Sequence, residues 1–276
     1  MKKAAFYTLG CKVNQYETEA MAELFADSGY EIKEFTEVAD VYVINTCSVT
    51  NMGDRKSRQI IRRAKKLNPN AVIAVTGCYA QTAPDEVLAI EGVNLVLGTK
   101  DRKNIVTLVE ELNTESNINH VSDIMSNHEF EELQIKQYSN RTRAFIKIQE
   151  GCNQFCSYCI IPYARGPVRS RAKDDVVREI KELAHNGFKE IILVGIHVAS
   201  YGVDLGDTTL ESLIMDVDKI DGVERIRLSS IEPMTLNQEF IDSIKDSKKL
   251  CHHFHISLQS GCDETLKRMN RKYTTA

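Results

Sequence analysis

The sequence predicts an α/β protein in which an N-terminal doubly wound parallel-sheet domain is followed by an incomplete (β/α) partial barrel. Short β-branched runs alternate with helical patterns along most of the 276 residues, which is typical of parallel sheets covered by helices. The periodicity is lost at residues 113–140, which are rich in Asn, Ser and Glu, so we expect a linker or an excursion at a domain edge. A length of 276 residues with 42% apolar residues is enough for one large domain or two ordinary domains, each with its own hydrophobic core.

The first domain, residues 1–112, contains four predicted strands. They are AAFYTLG (4–10), VYVINT (41–46), AVIAVTG (71–77) and NLVLG (94–98). These runs are too apolar for a sheet with one face in water, and they favour buried parallel strands. Between the first two, Tyr16, Ala20, Met21 and Leu24 recur at helical spacing.

The second domain, residues 141–276, repeats the alternation. Its predicted strands are AFIKIQ (144–149), EIILVGI (190–196), RIRLSS (225–230) and FHISLQ (254–259), and helical patterns lie at about 174–186, 208–220, 237–246 and 262–270. Four strand–helix units favour barrel geometry but are too few to close a barrel. Because the sequence stops at RKYTTA where another unit would follow, we expect it to be a fragment.

Composition indicates a cytoplasmic protein without membrane association. No stretch approaches the ~18–20 consecutive apolar residues that a membrane span needs, and the start, MKKAAFYTLGCKVNQ, turns polar too soon for a signal peptide. In the cytoplasm the eight cysteines stay reduced, so their clustering indicates metal binding or catalysis.

Basic residues are clustered although the net charge is −4. RKSRQIIRRAKK (55–66) holds seven basic side chains and no acidic one, and further clusters lie at Arg165–Lys173 and Lys267–Lys272. Such a run is either a solvated helix face or a surface that contacts phosphates, and the sequence leaves both interpretations open.

Three cysteines of the first domain follow predicted strands. Cys11, Cys47 and Cys78 come just after the carboxyl ends of the first three strands. In a doubly wound sheet these ends share one edge, where ligands bind, so the three can meet in space. The alternative is that they are small buried apolar residues, as free cysteines often are.

Three further cysteines crowd one loop of the second domain. Cys152, Cys156 and Cys159 have the spacing C-x3-C-x2-C after the first strand of the barrel. A structural zinc site takes four protein ligands and a disulfide takes two, so three cysteines suit a metal site with one open position. Cys251 and Cys262 have no partner at ligand spacing, and we expect both to be structural.

The loop sequence CNQFCSYC, with an aromatic residue before the third cysteine, resembles the signature of radical S-adenosylmethionine (SAM) enzymes. The resemblance implies that Cys152, Cys156 and Cys159 hold a [4Fe-4S] cluster whose fourth iron is chelated by the amino and carboxylate groups of SAM. It also makes Tyr158 a candidate for cofactor binding.

Within that superfamily nearly the whole sequence resembles the methylthiotransferases. The segments that carry the likeness are TLGCKVNQYETE, NTCSVT, VTGCYAQ, GCNQFCSYCIIPYARGPVRSR, ILVGIHVASYG and HISLQSG. The resemblance implies a second [4Fe-4S] cluster on Cys11, Cys47 and Cys78, which carries the sulfur to be inserted. It also implies a barrel with further units and a C-terminal RNA-binding TRAM domain, neither of which is present in this sequence.

TLGCKVNQYE and NTCSVTN look most like the branch that acts on threonylcarbamoyladenosine beside the anticodon of tRNA. The implied reaction inserts a methylthio group at carbon-2, an unactivated C–H position that acid–base catalysis does not reach, so a radical route follows. By resemblance, one SAM methylates the sulfur and a second SAM is cleaved to a 5′-deoxyadenosyl radical. The implied partners are the tRNA anticodon stem-loop, a reducing electron donor and a sulfur donor, and no catalytic residue is expected beyond the cluster ligands.

Three more residues are candidates for SAM contacts. Gly195 ends a predicted strand, and Gln259 lies in HHFHISLQSG, where polar residues alternate with apolar ones. Glu232 in SSIEP is a candidate for a ribose hydroxyl contact, with helix capping as the alternative.

Other functions stay open at this point. The same chemistry acts on isopentenyladenosine in tRNA in a neighbouring branch and on a ribosomal protein side chain in another. An iron–sulfur electron-transfer or redox-sensing protein would be expected to have four-cysteine clusters, and a zinc-binding interaction module would hold zinc without iron or sulfide.

Overall fold

The structure, a computed structural model, describes residues 1–112, 116–135 and 143–276 and divides the chain into two compact units. The first unit contains Met1–Asn127, Glu131–Ile135 and Tyr163–Arg165, and the second contains the remaining described residues. The predicted linker at 113–140 lies partly outside the described residues, at 113–115 and 136–140.

A parallel sheet forms the centre of the first unit. Its strands are β1 (Lys3–Thr8), β2 (Glu31–Lys33), β3 (Val41–Thr46), β4 (Val72–Gly77), β5 (Leu95–Leu97) and β6 (Ile118–His120). Its helices are α1 (Lys12–Asp27), α2 (Asn51–Leu67), α3 (Cys78–Thr82), α4 (Pro84–Leu88) and α5 (Ile105–Glu110). In the described chain the strand order is β2-β1-β3-β4-β5-β6. Strand β6 lies inside the segment predicted as a linker or a domain-edge excursion.

Both faces of this sheet are covered. Tyr42 and Ile44 of β3 pack in one core with α2, α3 and α4, whereas Val41 and Val43 pack in the other core with α1 and α5. Alternate residues of one strand therefore point into opposite cores, which is why the strand is apolar throughout. The predicted doubly wound domain is confirmed.

A second sheet forms the centre of the second unit. Its strands are β7 (Arg143–Glu150), β8 (Arg169–Ser170), β9 (Glu190–Gly195) and β10 (Arg225–Leu228). The helices here are α6 (Ile161–Arg165), α7 (Lys173–His185), α8 (Leu210–Asp218), α9 (Gln238–Ile244) and α10 (Asp263–Arg268). The described strands follow the order β10-β9-β7-β8, with β8 antiparallel to β7 and the other pairs parallel. This is the predicted partial barrel, and the last three residues of α6 group with the first unit.

The predicted strand at 254–259 is wrong. In this described stretch Ile256 forms one isolated β-bridge to Ile231, and the neighbouring residues do not continue the pairing into a strand. Ile256 and Leu258 are exposed, so the apolar side of the alternation has no surface to pack on. Gln259 has a left-handed backbone (φ 62°), which ends the extended run. Alternation without a covering element is not sufficient for a strand.

None of the helices in the described ranges is long and apolar enough to cross a membrane.

Candidate metal centres

The first cysteine set lies along one edge of the first sheet. Cys47 follows β3 directly, Cys78 is the first residue of α3 after β4, and Cys11 precedes α1. Because β1, β3 and β4 are adjacent and parallel, their carboxyl ends share this edge. Burial raises the pKa of Cys47 and raises that of Cys78 to about 11, and the nearby Cys11 adds to both shifts. The structure therefore brings the three predicted residues into one neighbourhood.

Glycines make the tight turns that place these cysteines. Gly77 has φ 95°, and a Cβ there would lie 2.4 Å from both Asn45 Oδ1 and Thr46 O. Gly10 has φ 106°, and a Cβ there would lie 3.0 Å from Cys47 Cβ. Only glycine fits either position without displacing a neighbour.

Buried amides tie the start of α1 to the strand ends. Asn14 Nδ2 donates to Leu9 O at 2.8 Å and to Thr46 O at 3.0 Å. Asn45 Nδ2 donates to Asn14 O at 3.0 Å and to Thr18 Oγ1 at 3.1 Å. These bonds tie the first turns of α1 to the ends of β1 and β3, so they fix the edge where the cysteines lie.

A buried arginine contacts the first cysteine set. Arg165 Nε donates to Cys78 Sγ at 3.2 Å, while its Nη1 and Nη2 donate to Glu17 Oε1 and to Asn14 Oδ1, both at 2.6 Å. Glu17 also pairs with Arg102 Nη1 at 2.5 Å, and all three charged side chains are buried. The guanidinium therefore places a fixed positive charge beside a thiol.

The basic cluster Arg165–Lys173 is neither a solvated face nor a phosphate surface. Arg165, Arg169 and Arg171 are buried, Arg171 pairs with Glu179, and Lys173 Nζ lies 2.9 Å from Asp216 Oδ2. The partners of Arg165 and Lys173 are distant in sequence, so local composition did not reveal these ion pairs. The segments that resemble the methylthiotransferases contain both Glu17 and Arg165. This likeness was the signal in the sequence that could have drawn attention to the two residues.

The second cysteine set occupies the loop after β7. Cys152 N donates to Gly166 O, and Cys159 N donates to Cys156 O, both at 3.0 Å. Burial raises the pKa of Cys152 to about 11, with Cys159 and Cys156 adding to the shift, and burial likewise raises that of Cys159. The three thiols of the loop therefore also share one neighbourhood.

A segment at the end of α10 holds this loop, and sequence reasoning missed it. Ser157 N donates to Met269 O at 3.1 Å, and Ser157 Oγ donates to Arg268 O at 2.9 Å. Asn270 Nδ2 donates to Phe155 O at 2.9 Å. Arg271 Nη1 donates to Cys156 Sγ at 3.2 Å. The sequence had grouped Arg268 and Arg271 in a surface basic cluster, yet the Arg271 side chain is only 7% exposed.

Glu232 and His197 extend this contact. Arg271 Nη2 donates to Glu232 Oε1 at 2.5 Å, and Glu232 Oε2 lies 3.2 Å from His197 Nε2. Burial opposes ionisation of Glu232, but His197 and Arg271 hold its pKa below the usual value. Within the described chain the Glu232 side chain caps no helix, so the capping alternative is wrong.

A cavity of about 490 Å³ opens beside this pair in the second unit. Gln154, His197, Glu232 and Lys272 are among its lining residues. Gly195, Tyr158 and Gln259 do not line it within the described residues. Gly195 instead packs on Gln149, because a Cβ there would lie 2.8 Å from Gln149 Oε1. Tyr158 and Gln259 are exposed.

The donor set of each site, three thiols with an arginine N–H on one sulfur, fits an iron–sulfur cluster with one open position. Across residues 1–112, 116–135 and 143–276, no three Cys, His, Asp or Glu side chains converge as ligands of one metal ion. Arg271 Nε is buried and has no acceptor in the described residues.

Comparison with known proteins identifies the family. Residues 3–98 match Uncharacterized protein family UPF0004, and residues 146–276 match the Radical SAM superfamily. The chain is 51% identical over 276 residues to "Threonylcarbamoyladenosine tRNA methylthiotransferase MtaB" of Bacillus subtilis, covering 99% of this chain and 61% of that protein. The protein of the same name from Aquifex aeolicus is 43% identical, with 99% and 66% covered.

This chain belongs to the radical SAM methylthiotransferase family. A "tRNA-2-methylthio-N(6)-dimethylallyladenosine synthase" of Thermoanaerobacter pseudethanolicus is less similar, at 38% identity with 97% of this chain and 58% of that protein covered. The chain thus spans 58–66% of the length of these relatives. Membership in this radical SAM family implies a [4Fe-4S] cluster and SAM as cofactors.

A solved structure shares the fold. The radical S-adenosylmethionine methyltransferase TsrM from Kitasatospora setae, with tryptophan substrate and a SAM analogue bound, matches with a TM-score of 0.65. The match covers 99% of this chain and 63% of TsrM at 15% sequence identity. At this identity the likeness extends to the fold alone.

Proposed function

We propose that this radical SAM methylthiotransferase chain inserts a methylthio group at carbon-2 of threonylcarbamoyladenosine next to the anticodon of tRNA. The observation that carries the proposal is the pair of three-cysteine sets, one in each unit, each with an arginine N–H on one thiol. The substrate choice is supported by 51% identity to a protein named for threonylcarbamoyladenosine, against 38% for one named for dimethylallyladenosine.

The proposal assigns a [4Fe-4S] cluster to each cysteine set. Cys152, Cys156 and Cys159 hold the cluster that binds SAM, and Cys11, Cys47 and Cys78 hold a second cluster. When bound, these cofactors supply one-electron chemistry and the sulfur and methyl groups to be transferred. The thiols must lose their protons to bind iron, and burial opposes this loss at Cys78 and Cys152.

Arginine side chains offset the cost of these buried thiolates. Arg165 lowers the pKa of Cys78, against the larger effect of burial, and Arg271 does the same for Cys159. Each arginine also donates an N–H to one sulfur, Arg165 to Cys78 and Arg271 to Cys156, and this contact orients that sulfur. We propose Tyr158, Gly195, Glu232 and Gln259 as SAM contacts, and the cavity position favours Glu232 among them.

Helix α2 supports tRNA as the partner. Arg55, Arg62 and Lys66 recur at i, i+7 and i+11, are exposed, and form no ion pair with described residues. Arg58 is engaged, because its Nη1 donates to Tyr79 Oη at 2.9 Å and to Glu86 Oε1 at 3.0 Å. The helix starts four residues after Cys47, so this basic stripe leads away from the first cysteine set. Phosphates of an anticodon stem-loop suit such a stripe.

The proposal places the enzyme in the cytoplasm, with a reducing electron donor and a sulfur donor as further partners. The two alternatives with the same chemistry differ in substrate: isopentenyladenosine in tRNA, or a ribosomal protein side chain. An electron-transfer or redox-sensing protein is disfavoured by two sets of three cysteines. A zinc-binding module would hold zinc without iron or sulfide, and metal analysis after anaerobic purification distinguishes it from the proposed function.

The test is mass spectrometry of tRNA nucleosides from a strain lacking this gene. We expect 2-methylthio-threonylcarbamoyladenosine to disappear, with threonylcarbamoyladenosine in its place. The wild-type gene should restore it, Cys156→Ala should not, and Cys251→Ala should act as wild type. Loss of the methylthio group from isopentenyladenosine, or from a ribosomal protein, would replace the proposed substrate with that one.

A further inference from the structure

We propose that Arg271 is a positioning residue that orders the cysteine loop before the cluster is bound and then stabilises the reduced cluster. The inference rests on the proposed function in one respect, which is that Cys152, Cys156 and Cys159 hold a [4Fe-4S] cluster.

The centre of the loop is held by a segment that is distant in sequence. Four hydrogen bonds join Phe155–Ser157 to Arg268–Arg271, and the two segments are more than 110 residues apart in sequence. We call Arg268–Arg271 the clamp. Phe155 has a positive φ of 47°, a conformation that costs a non-glycine residue energy, and Asn270 of the clamp binds its carbonyl oxygen. The clamp therefore maintains a loop conformation that local propensity disfavours.

Arg271 is the clamp residue whose charged group contacts a thiol. One end of its guanidinium group donates to Cys156 Sγ and the other to Glu232 Oε1, and Glu232 in turn contacts His197. A planar guanidinium can make both contacts at fixed directions, which a lysine ammonium cannot. The carboxylate of Glu232 thus fixes the direction from which the guanidinium reaches the thiol.

The position of the charge also bears on redox chemistry. Three thiolates and a cluster form a negatively charged group, and accepting an electron increases that charge. A cation that donates a hydrogen bond to a ligand sulfur stabilises the reduced state and raises the reduction potential. The buried Arg271 Nε supplies a second N–H with no acceptor among the described residues.

The experiment compares five variants in the whole chain. Arg271→Gln removes the positive charge and both contacts of the guanidinium group. Arg271→Lys keeps the charge but cannot contact Cys156 and Glu232 at the same time. Ser157→Ala and Asn270→Gly each remove one uncharged contact between the loop and the clamp. Lys267→Gln is the matched control, because Lys267 is an exposed cation one turn away whose side chain makes no contact with the loop among the described residues. Hydrogen exchange is measured without iron, and iron content and midpoint potential are measured after anaerobic reconstitution.

We expect Arg271→Gln to exchange the amides of 152–159 about tenfold faster, to lower iron loading at this loop, and to shift the midpoint potential of its cluster negatively. Arg271→Lys should also exchange faster than wild type, but the midpoint potential of its cluster should stay close to the wild-type value. Ser157→Ala and Asn270→Gly should exchange faster with the potential unchanged, and Lys267→Gln should match wild type.

Wild-type exchange, loading and potential in Arg271→Gln would overturn the inference. So would equal negative shifts in Lys267→Gln and Arg271→Gln, because the effect would then be that of any nearby cation. The proposed function fails separately: if Cys152→Ala/Cys156→Ala/Cys159→Ala retains all the iron of wild type, the loop holds no cluster, whatever Arg271 does.

Discussion

The two cysteine sets are built in opposite ways. The first collects Cys11, Cys47 and Cys78 from three strand ends that span 68 residues, so it exists only where the sheet of the first unit is folded. The second takes its three cysteines from eight consecutive residues, so its composition is local. Only the conformation of that loop depends on distant residues, and these are the clamp residues Arg268–Arg271. A set assembled by a sheet is tied to stability, whereas a set in a loop can be adjusted by what holds it.

The arginines that contact the two cysteine sets also differ, in their burial and in their partners. Each donates to a cysteine sulfur at 3.2 Å. Arg165 is fully buried beside Glu17, which also binds Arg102. Arg271 lies nearer the surface, and its partner Glu232 lines a cavity. We therefore expect changes at Arg165 and its partners to act on folding, and changes at Arg271 to act on the cofactor.

Glu17→Gln should give the largest effect on stability. It leaves two buried guanidinium groups without their shared carboxylate, and breaking a buried ion pair in this way costs about 3–5 kcal/mol. Hydrogen exchange of the β3 and β4 amides measures the loss. Glu31→Gln is the matched control, because Glu31 pairs with Lys33 at the surface and should leave this exchange unchanged. Equal behaviour of the two variants would show that the buried charges do not support the first set.

Gly77→Ala and Gly151→Ala should each disable one set. A Cβ on Gly77 would lie 2.4 Å from Thr46 O, and one on Gly151 would lie 1.9 Å from Pro167 O, both at positive φ. We expect each change to cost about 3 kcal/mol or more and to lower iron loading only at its own set.

Gly29→Ala and Gly187→Ala are the controls for these two variants. Both positions have a positive φ, but a Cβ there meets no described atom within 4 Å. Each change should lower the free energy of unfolding by about 1–2 kcal/mol, because a left-handed backbone is unfavourable for alanine. Each variant should still bind as much iron as wild type. Iron losses in the controls as large as those in Gly77→Ala would mean that general instability, not turn geometry, governs loading.

The basic stripe on α2 should give the smallest effect, confined to RNA binding. Replacing Arg55, Arg62 and Lys66 by Gln should lower the slope of log affinity for tRNA against log salt by about two to three units, because each phosphate contact contributes about 0.7–0.9. Arg58→Gln is the control, since Arg58 is already paired with Glu86, and it should leave the slope nearly unchanged. A slope unaffected by the triple change would make the stripe a solvated surface.

The sequence was sufficient to predict the features of the fold and the site that depend on the local residue pattern. Buried strands such as Val41–Thr46 are apolar throughout, and the cysteines that follow them share an edge by topology. It did not predict contacts between residues that lie far apart in sequence. Arg165 and Arg271 looked like surface cations because Glu17 and Glu232 lie far away in sequence, and FHISLQ looked like a strand because alternation does not reveal whether a covering element exists. Ile118–His120 was too short for its pattern to indicate the edge strand that it forms.

Iron content after anaerobic reconstitution tests the central claim, two clusters on two sets of three cysteines, most directly. We expect about eight irons per chain, since each set holds a four-iron cluster. Replacing Cys11, Cys47 and Cys78 together by alanine should leave about half the iron and preserve SAM cleavage, and replacing Cys152, Cys156 and Cys159 should also leave about half but abolish cleavage. Full iron retention in either triple variant, or zinc without iron in the wild-type chain, would contradict the account.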